Sequence, residues 1–261
     1  MRRNHSPYHR PPLSKGFLLN GPDQTKILIH DEAFYREREI SIHLGTRVCR
    51  VDVDTCTIET DRGGHFRFGR LLIATGANVD RLSAPGANLA GIHYLRTVCD
   101  ALSLYQRIGY AQRAVVIGAS FLGMELAAAL ATRGVATTLI AREDLLYEKL
   151  RSPEVSEFFA EYFRARAIEL IFGEEVKEFS GTTRVEGVVT SSGKRVPCDI
   201  VAIGIGVHPE TGFLADSGID VDGGIVVNQH LETNRPGIYA AGDVANFYNP
   251  SAHKVPCGAL G

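Results

Sequence analysis

The sequence predicts an α/β protein with mostly parallel strands, and three observations carry this prediction. Residues 114–118 form a short apolar run. A glycine-punctuated turn and an alanine-rich segment at 121–132, with helical character, follow it. Strand-like and helix-like segments continue to alternate, with a strand at 136–141 and a helix at 153–165. Such alternation is typical of a parallel sheet that helices cover on both faces.

The composition bounds the class of protein. The chain has 261 residues, 44% of them apolar and 22% charged, and a formal net charge of −2. This composition is typical of a globular protein, and its net charge favours neither nucleic acid nor a membrane surface as a partner. No apolar run approaches the ~20 residues that span a bilayer. Residues 1–7 contain two arginines but no apolar stretch behind them, so we expect no secretory signal and a cytoplasmic location, with an organelle matrix as the alternative.

The five cysteines are scattered and form no CxxC pair: Cys49, Cys56, Cys99, Cys198 and Cys257. An odd, dispersed set indicates reduced thiols, which we expect to be small buried or half-buried side chains. It also argues against a disulfide-type reductase that works through a dithiol.

The remaining elements follow from local patterns. In chain order they are a loop at 1–15, a helix at 31–39, strands at 47–54, 56–60 and 65–73, a linker at 78–91, a helix at 99–110, a strand at 168–172, a meander through 176, 185–190 and 200–205, and short strands at 225–228 and 238–241. Aromatic residues at 158, 159, 162 and 163 have helical spacing, so we expect them in the core.

The turn after the first apolar run has the pattern Gly118-x-Ser120-x-x-Gly123. In a dinucleotide-binding βαβ unit the first glycine permits a tight turn and the last permits close helix–strand packing. The middle position lets the backbone approach a pyrophosphate, and the Ser120 hydroxyl can donate to a phosphate. The following helix N-terminus adds N–H donors. We predict nucleotide binding here; the alternative is a turn whose glycines serve packing alone.

The residue that selects between NAD and NADP is expected at the end of the next strand. An acidic residue about 20 positions after the fingerprint would bind the ribose hydroxyls of NAD. This strand instead ends in Ala141, which Arg142 follows. A guanidinium suits the 2′-phosphate of NADPH, which the sequence therefore favours. The alternative is that Glu143 reaches the ribose and Arg142 is a solvated loop charge.

Two further motifs flank this fingerprint and fit a flavin. One apolar run leads into Ala74-Thr75-Gly76, and another ends in Gly242-Asp243. Small residues at the carboxyl end of a strand let a cofactor approach the backbone, and an aspartate there can accept hydrogen bonds from ribityl hydroxyls. Each motif alone also occurs in ordinary turns.

With these motifs in view, the chain resembles the two-dinucleotide-binding flavoproteins. The nearest branch includes the ferredoxin and rubredoxin reductases of oxygenase systems and the apoptosis-inducing-factor-like proteins. Segments 7–15, 93–97 and 204–209 also carry the resemblance. It implies two Rossmann-like nucleotide-binding domains with three-stranded β-meanders, the NAD(P) domain being inserted into an incomplete FAD domain. The expected boundaries are 1–90 and 214–261 for the FAD domain and 91–213 for the NAD(P) domain.

The resemblance also implies residue roles. Lys15 and Glu125 would form a catalytic pair near the reactive edge of the flavin, where a lysine stabilises reduced flavin and a carboxylate orients it; the alternative is two exposed charges. Together, the motifs and the resemblance give these cofactor-binding residues: Arg10, Lys15, Ala74, Thr75, Gly76, Arg96, Gly118, Ser120, Phe121, Leu122, Gly123, Glu125, Arg142, Gly204, Gly206, Gly242 and Asp243. No zinc-type spacing of cysteine and histidine is present, so we expect no metal.

The implied activity is that of a flavoprotein reductase with FAD and NAD(P)H as cofactors. Hydride passes from nicotinamide to flavin, and electrons pass on to an iron–sulfur carrier of the ferredoxin or Rieske type, with a homodimer in the full-length form. Only residues 1–9 precede the motif at 10–15, whereas a βαβ unit needs about 30 residues. We therefore expect a fragment that lacks the FAD phosphate loop and is prone to aggregate. The alternative is a non-catalytic remnant that binds NAD(P) without FAD.

Overall fold

The computed structural model describes residues 5–247, and within them the chain forms five α-helices and seventeen β-strands. The helices are α1 (Gly16–Asn20), α2 (Glu32–Glu37), α3 (Val98–Ile108), α4 (Phe121–Thr132) and α5 (Pro153–Arg164). The strands are β1 (Val48–Asp52), β2 (Thr57–Thr60), β3 (His65–Arg67), β4 (Leu71–Ile73), β5 (Ala77–Val79), β6 (Ile92–Tyr94), β7 (Arg113–Ile117), β8 (Ala136–Ile140), β9 (Glu169–Ile171), β10 (Val176–Ser180), β11 (Gly187–Thr190), β12 (Arg195–Pro197), β13 (Ile200–Ile203), β14 (Val207–Pro209), β15 (Ile225–Val227), β16 (Ile238–Ala240) and β17 (Ala245–Phe247). No helix in this part of the chain is both long and apolar enough to cross a bilayer.

The chain divides into two compact units. Within the described residues, the first unit comprises 5–8, 28–78 and 207–247, and the second comprises 9–27 and 79–206. Residues 9–27 were expected in the FAD domain, but they group with the second unit because α1 packs on α3 and α4. The assignment of each unit to a cofactor stays a prediction.

The second unit is built on a five-stranded parallel sheet in the order β6-β13-β7-β8-β9. Its central strands β7 and β13 are almost wholly buried, as in a sheet covered on both faces. Helix α4 follows β7 and packs on β7 and β8, with Leu126 and Leu130 inaccessible to solvent. A three-stranded antiparallel sheet, β10-β11-β12, belongs to the same unit.

The first unit combines a three-stranded antiparallel sheet, β1-β2-β3, with short strand pairs. Strands β4 and β16 pair in parallel, as do β15 and β17, and β5 pairs with β14. Its core contains Val51, Ile73, Ile225 and Ile238. The α/β class and the two three-stranded meanders that the sequence predicts are thereby confirmed.

Several predicted strands have different partners from those expected. Residues 200–205 were placed in the meander, but β13 lies between β6 and β7 in the parallel sheet. The meander is instead completed by β12, which the sequence did not indicate. The predicted strand 65–73 breaks around Gly69 into β3, in the antiparallel sheet, and β4, which pairs in parallel with β16. The predicted loop at 1–15 contains a 3₁₀ helix at Pro11–Ser14.

The aromatic stripe on α5 is only partly in the core. Phe163 is 4% exposed, whereas Phe158 is 63% and Tyr162 is 44% exposed. The guanidinium of Arg166 stacks 3.4 Å from the centre of the Tyr162 ring. The expectation was wrong for Phe158 and Tyr162 because helical spacing shows that residues share a face, but not what covers that face.

The cysteines are likewise less buried than expected. Cys198 is buried and Cys99 half-buried, but Cys49 and Cys56 are exposed; Cys257 lies outside the described residues. None of the four described cysteines forms a disulfide. Burial, reinforced by Asp199, raises the pKa of Cys198 to about 12, so this thiol stays protonated and is a poor nucleophile.

His93 on β6 should make stability depend on pH. Among the described residues, its Nε2 is a buried side-chain nitrogen without a hydrogen-bond partner. Burial, with a contribution from Arg107 and against Asp100, lowers its pKa from 6.5. Between pH 6.5 and its lowered native pKa, the unfolded chain therefore binds up to one more proton than the folded chain. The free energy of unfolding falls as pH decreases through this window, by at most about 1.4 kcal/mol per pH unit.

We expect His93→Leu to flatten this fall between neutral pH and the native pKa, as measured by urea unfolding at a series of pH values. His65→Leu, at an exposed position on β3, serves as the control. This variant should keep the wild-type fall in the free energy of unfolding as pH decreases. Identical slopes in wild type and His93→Leu would contradict the assignment.

Candidate functional site

The carboxyl ends of β7 and β13 lie side by side in the second unit. Gly118 follows β7 and Gly204 follows β13, and the two strands pair in register up to these glycines. Strands β8 and β9 continue on one side of β7, while β13 and β6 lie on the other. The crevice between β7 and β13 is therefore a topological switch point, where open α/β sheets bind their ligands.

Three predicted glycines pack against one another at this switch point. Gly118 has φ +104°, and a Cβ on it would lie 2.3 Å from the Gly204 carbonyl oxygen. A Cβ on Gly123 would lie 1.9 Å from the Gly118 carbonyl oxygen, and one on Gly204 would lie 3.1 Å from the Gly123 nitrogen. Gly118 and Gly123 therefore leave no room for a Cβ, and a Cβ on Gly204 would be tightly packed. The packing role of the fingerprint is therefore present, whatever else it does.

Ser120 stands at the N-cap of α4, but its side chain does not cap the helix. Its hydroxyl instead donates to the Gly204 carbonyl at 3.2 Å. The first turn of this 12-residue helix thus presents its N–H groups at the carboxyl edge of the sheet without a serine cap. Donation from Ser120 to a phosphate, as predicted, requires the hydroxyl to turn away from Gly204.

Aromatic side chains cover the start of α4. Phe121 is 45% exposed, and its ring centre lies 4.3 Å from that of Tyr147, while Leu122 is half-buried. The Tyr147 amide donates to the Ala119 carbonyl at 3.1 Å, which ties the loop after β8 to the fingerprint turn. Burial, with a smaller effect of Glu125, raises the pKa of Tyr147. The sequence pattern did not single out Tyr147.

The predicted pair of Lys15 and Glu125 is in contact. Lys15 Nζ lies 2.7 Å from Glu125 Oε1, with side chains 54% and 29% exposed. The other carboxylate oxygen, Oε2, accepts a hydrogen bond of 2.5 Å from the hydroxyl of Ser14, a residue that is 6% exposed. Ser14 was not among the predicted site residues. The catalytic role of the pair stays a prediction.

The loop after β8 forms an acidic depression of about 480 Å³. Its lining residues are Arg142, Glu143, Asp144, Glu148, Gly173, Glu175 and Ser191. Arg142 Nε is held by Glu143 Oε1 at 3.0 Å. Nearby, hydroxyls of Ser192 and Ser191 lower the pKa of Glu174 to about 2, so that carboxyl stays ionised. A phosphate that approaches Arg142 must compete with these carboxylates.

Two variants test the prediction that Arg142 binds the 2′-phosphate. Glu143→Gln frees the guanidinium, so we expect the affinity for NADPH relative to NADH to rise about tenfold, which corresponds to about 1.4 kcal/mol. Arg142→Ala should lower the same ratio. Calorimetric titration with each dinucleotide measures it. A ratio of NADPH to NADH affinity that is the same in wild type and in both variants would leave Arg142 as a solvated loop charge.

The other predicted cofactor-binding residues of the second unit lie at different places in its fold. Arg96 follows β6 at the same carboxyl edge, and its amide donates to Asp100 Oδ2 at 3.2 Å. Gly206 has φ +136°, and a Cβ on it would lie 2.7 Å from Asp80 Oδ2. Arg10 precedes the 3₁₀ helix, and its carbonyl accepts from the Leu13 amide at 2.9 Å. Whether these residues contact a cofactor stays a prediction.

The flavin-type motifs come together in the first unit. The parallel register pairs Ala240 with Ile73, and the Ala241 amide donates to the Ile73 carbonyl at 3.0 Å. The segment Ala74, Thr75 and Gly76 and the segment Gly242 and Asp243 therefore leave neighbouring strands at the same edge. Gly242 has φ +76°, and a Cβ on it would meet nothing within 4 Å, so a ligand can approach this backbone.

A cavity of about 850 Å³ in the first unit borders Thr75. Its other lining residues are Gly45, Thr46, Arg47, Val48, Cys49, Asp61, Asn78, Glu210, Gly212 and Phe213. The volume falls within the range of small-molecule and cofactor sites. Polar groups from separate loops converge on it, and the Thr75 hydroxyl donates to the Glu210 carbonyl at 3.0 Å. Among its lining residues, Thr75 is the one predicted to bind a cofactor, so occupancy of this cavity by part of FAD stays a prediction.

A glycine-lined switch point in one unit and a glycine–aspartate strand edge in the other define a dinucleotide-binding flavoprotein. The chain belongs to the pyridine nucleotide-disulphide oxidoreductase family, whose sequence model matches residues 1–256. The predicted family and fold class are confirmed, and the match supports the predicted cofactors, FAD and NAD(P)H.

Individual relatives agree with this assignment. Rhodocoxin reductase of Rhodococcus erythropolis is 35% identical over 245 residues, which cover 94% of this chain and 57% of the relative. The ferredoxin reductase for the CYP199A2 system of Rhodopseudomonas palustris superposes with a TM-score of 0.92 at 33% identity, covering 95% of this chain and 62% of that one. The covalent putidaredoxin reductase–putidaredoxin complex superposes with a TM-score of 0.91 at 30% identity. The match covers 95% of this chain and 61% of that one. The chain thus spans about three fifths of the length of these proteins.

Proposed function

We propose that this chain acts as an FAD-dependent NAD(P)H oxidoreductase that passes electrons to an iron–sulfur carrier. The observation that carries the proposal is the ion pair of 2.7 Å between Lys15 Nζ and Glu125 Oε1. Glu125 lies on α4, the helix that begins at the glycine fingerprint. The pair therefore joins the lysine motif that the family resemblance assigns to the flavin with the element predicted to bind the dinucleotide.

Different residues of the second unit have different roles in this proposed reaction. The N-terminus of α4 and the loop at Gly118 bind the pyrophosphate of NAD(P)H, because N–H groups and the helix dipole favour an anion there. Lys15 supplies positive charge where negative charge develops, and Glu125 holds the lysine in place. FAD, when bound, accepts the hydride of the nicotinamide and releases electrons singly.

The electron acceptor is proposed from the relatives. Solved structures similar to this chain include a ferredoxin reductase and a reductase in complex with putidaredoxin. We therefore propose a carrier of the ferredoxin or Rieske type as the partner. The homodimer and the cytoplasmic location stay predictions from the sequence.

The colour of the purified protein tests the proposal. Yellow protein with flavin absorption bands that bleach on anaerobic addition of NADH or NADPH supports a reductase. Colourless protein that binds NADPH but takes up no added FAD supports the alternative of an NAD(P)-binding protein without catalysis. Protein that binds neither cofactor overturns both.

A further inference from the structure

Ser14 is the least exposed polar group in the neighbourhood of the Lys15–Glu125 pair. It ends the 3₁₀ helix Pro11–Ser14 and is 6% exposed, while the side chain of the next residue, Lys15, is 54% exposed. The Ser14 hydroxyl lies 2.5 Å from Glu125 Oε2 and 3.4 Å from the Pro11 carbonyl. The contact to the carboxylate, across 111 residues of sequence, is much the shorter.

The Glu125 carboxylate is therefore held by two donors on its two oxygens. Ser14 donates to Oε2 and Lys15 donates to Oε1, so the plane of the carboxylate is fixed between neighbouring residues of one segment. A hydroxyl–carboxylate bond of this kind is charge-assisted and directional. Without it, Glu125 can rotate and carry the ammonium group of Lys15 with it.

A second contact keeps this segment on α4. Arg133, just after the helix, donates from Nη1 to the Leu18 carbonyl at 2.7 Å and stacks 4.7 Å from the Tyr105 ring centre. The segment is thus anchored independently of Ser14. Loss of the Ser14 hydroxyl should loosen the ion pair without detaching residues 9–27.

We propose that Ser14 is a positioning residue of the reductase site, whose hydroxyl orients the Glu125 carboxylate and through it fixes Lys15 Nζ. The proposal rests on the proposed function for its catalytic consequence, but its geometric consequence stands by itself. Loss of an outer partner that orients a metal ligand typically costs about 10- to 100-fold in activity, and we expect the lower end of that range for Ser14.

The first experiment needs no flavin. Acetylation of Lys15 by an N-hydroxysuccinimide ester is followed by peptide mass spectrometry at one pH, with Lys26 and Lys194 in the same sample as internal references. We expect Ser14→Ala to speed modification of Lys15 about threefold and Ser14→Thr, which keeps the hydroxyl, to restore the wild-type rate. Equal Lys15 rates in wild type and Ser14→Ala, with both proteins folded by circular dichroism, would overturn the proposal.

The second experiment uses FAD-loaded protein. Stopped-flow reduction by NADH should be about tenfold slower in Ser14→Ala, with the dissociation constant for NADH unchanged, and should recover in Ser14→Thr. A fall in NADH affinity with an unchanged limiting rate would show a structural role and would also overturn the proposal. If the wild type is not reduced at all, the proposed function fails, while the acetylation rates still decide the placement of Lys15.

Discussion

Replacing Lys15 with alanine is expected to slow the reduction of bound FAD by NAD(P)H about 100-fold, as the loss of one preorganised charged group does. The lysine is 54% exposed and pairs with Glu125 at 2.7 Å. An ion pair this exposed contributes about 0–1 kcal/mol to stability, so the variant should fold normally. The limiting rate in stopped-flow absorbance, measured beside urea unfolding, separates the two effects.

Glu125→Ala should lower the same limiting rate, because Lys15 then loses the carboxylate that holds it. Lys194→Ala is the matched control: Lys194 also pairs with a glutamate on the second unit, Glu169, at 3.0 Å, and is 49% exposed. It should leave flavin reduction unchanged. Wild-type rates in both Lys15→Ala and Glu125→Ala would remove the pair from the mechanism.

The sequence predicted those parts of the structure that local chemistry determines. The fingerprint helix was expected at residues 121–132, and α4 has these bounds, because a glycine turn before it and an alanine-rich face within it specify a helix directly. Helix α5 also begins where Pro153 indicates. The contact of Lys15 with Glu125 came from the family resemblance, since 110 residues separate the two and no local pattern joins them.

The parts that were missed depend on distant pairing. The run Ile200–Ile203 has the same local character in a meander as in a parallel sheet, and only its pairing with β6 and β7 decides between them. No hydrophobic periodicity around Ser14 marks it as a site residue either. Its position beside the motif lysine, two residues after two prolines that shape a 3₁₀ turn, was the one local indication that its side chain would be fixed.

Gly123→Ala is expected to weaken NAD(P)H binding at the fingerprint severely. The new Cβ would lie 1.9 Å from the Gly118 carbonyl oxygen, so the start of α4 must move away from the loop that it packs against. Overpacking of this kind costs about 1–3 kcal/mol in stability. The shift also withdraws the helix N–H groups from the carboxyl edge of the sheet, and we expect the affinity for NADH to fall at least about 100-fold. Calorimetric titration and urea unfolding of the same samples measure both quantities.

Two control variants separate this clash from the general effects of adding a methyl group to glycine. Gly109 at the end of α3 has φ −61°, and a Cβ there would make an ordinary contact of 3.6 Å, so Gly109→Ala should bind NADH as the wild type does. Gly134 has φ +81° with nothing within 4 Å of an added Cβ, so Gly134→Ala carries the backbone strain of a left-handed residue without the clash. It should lose stability but keep its affinity. If Gly123→Ala binds NADH within about twofold of the wild type, the glycines at the switch point serve packing alone and the dinucleotide site lies elsewhere.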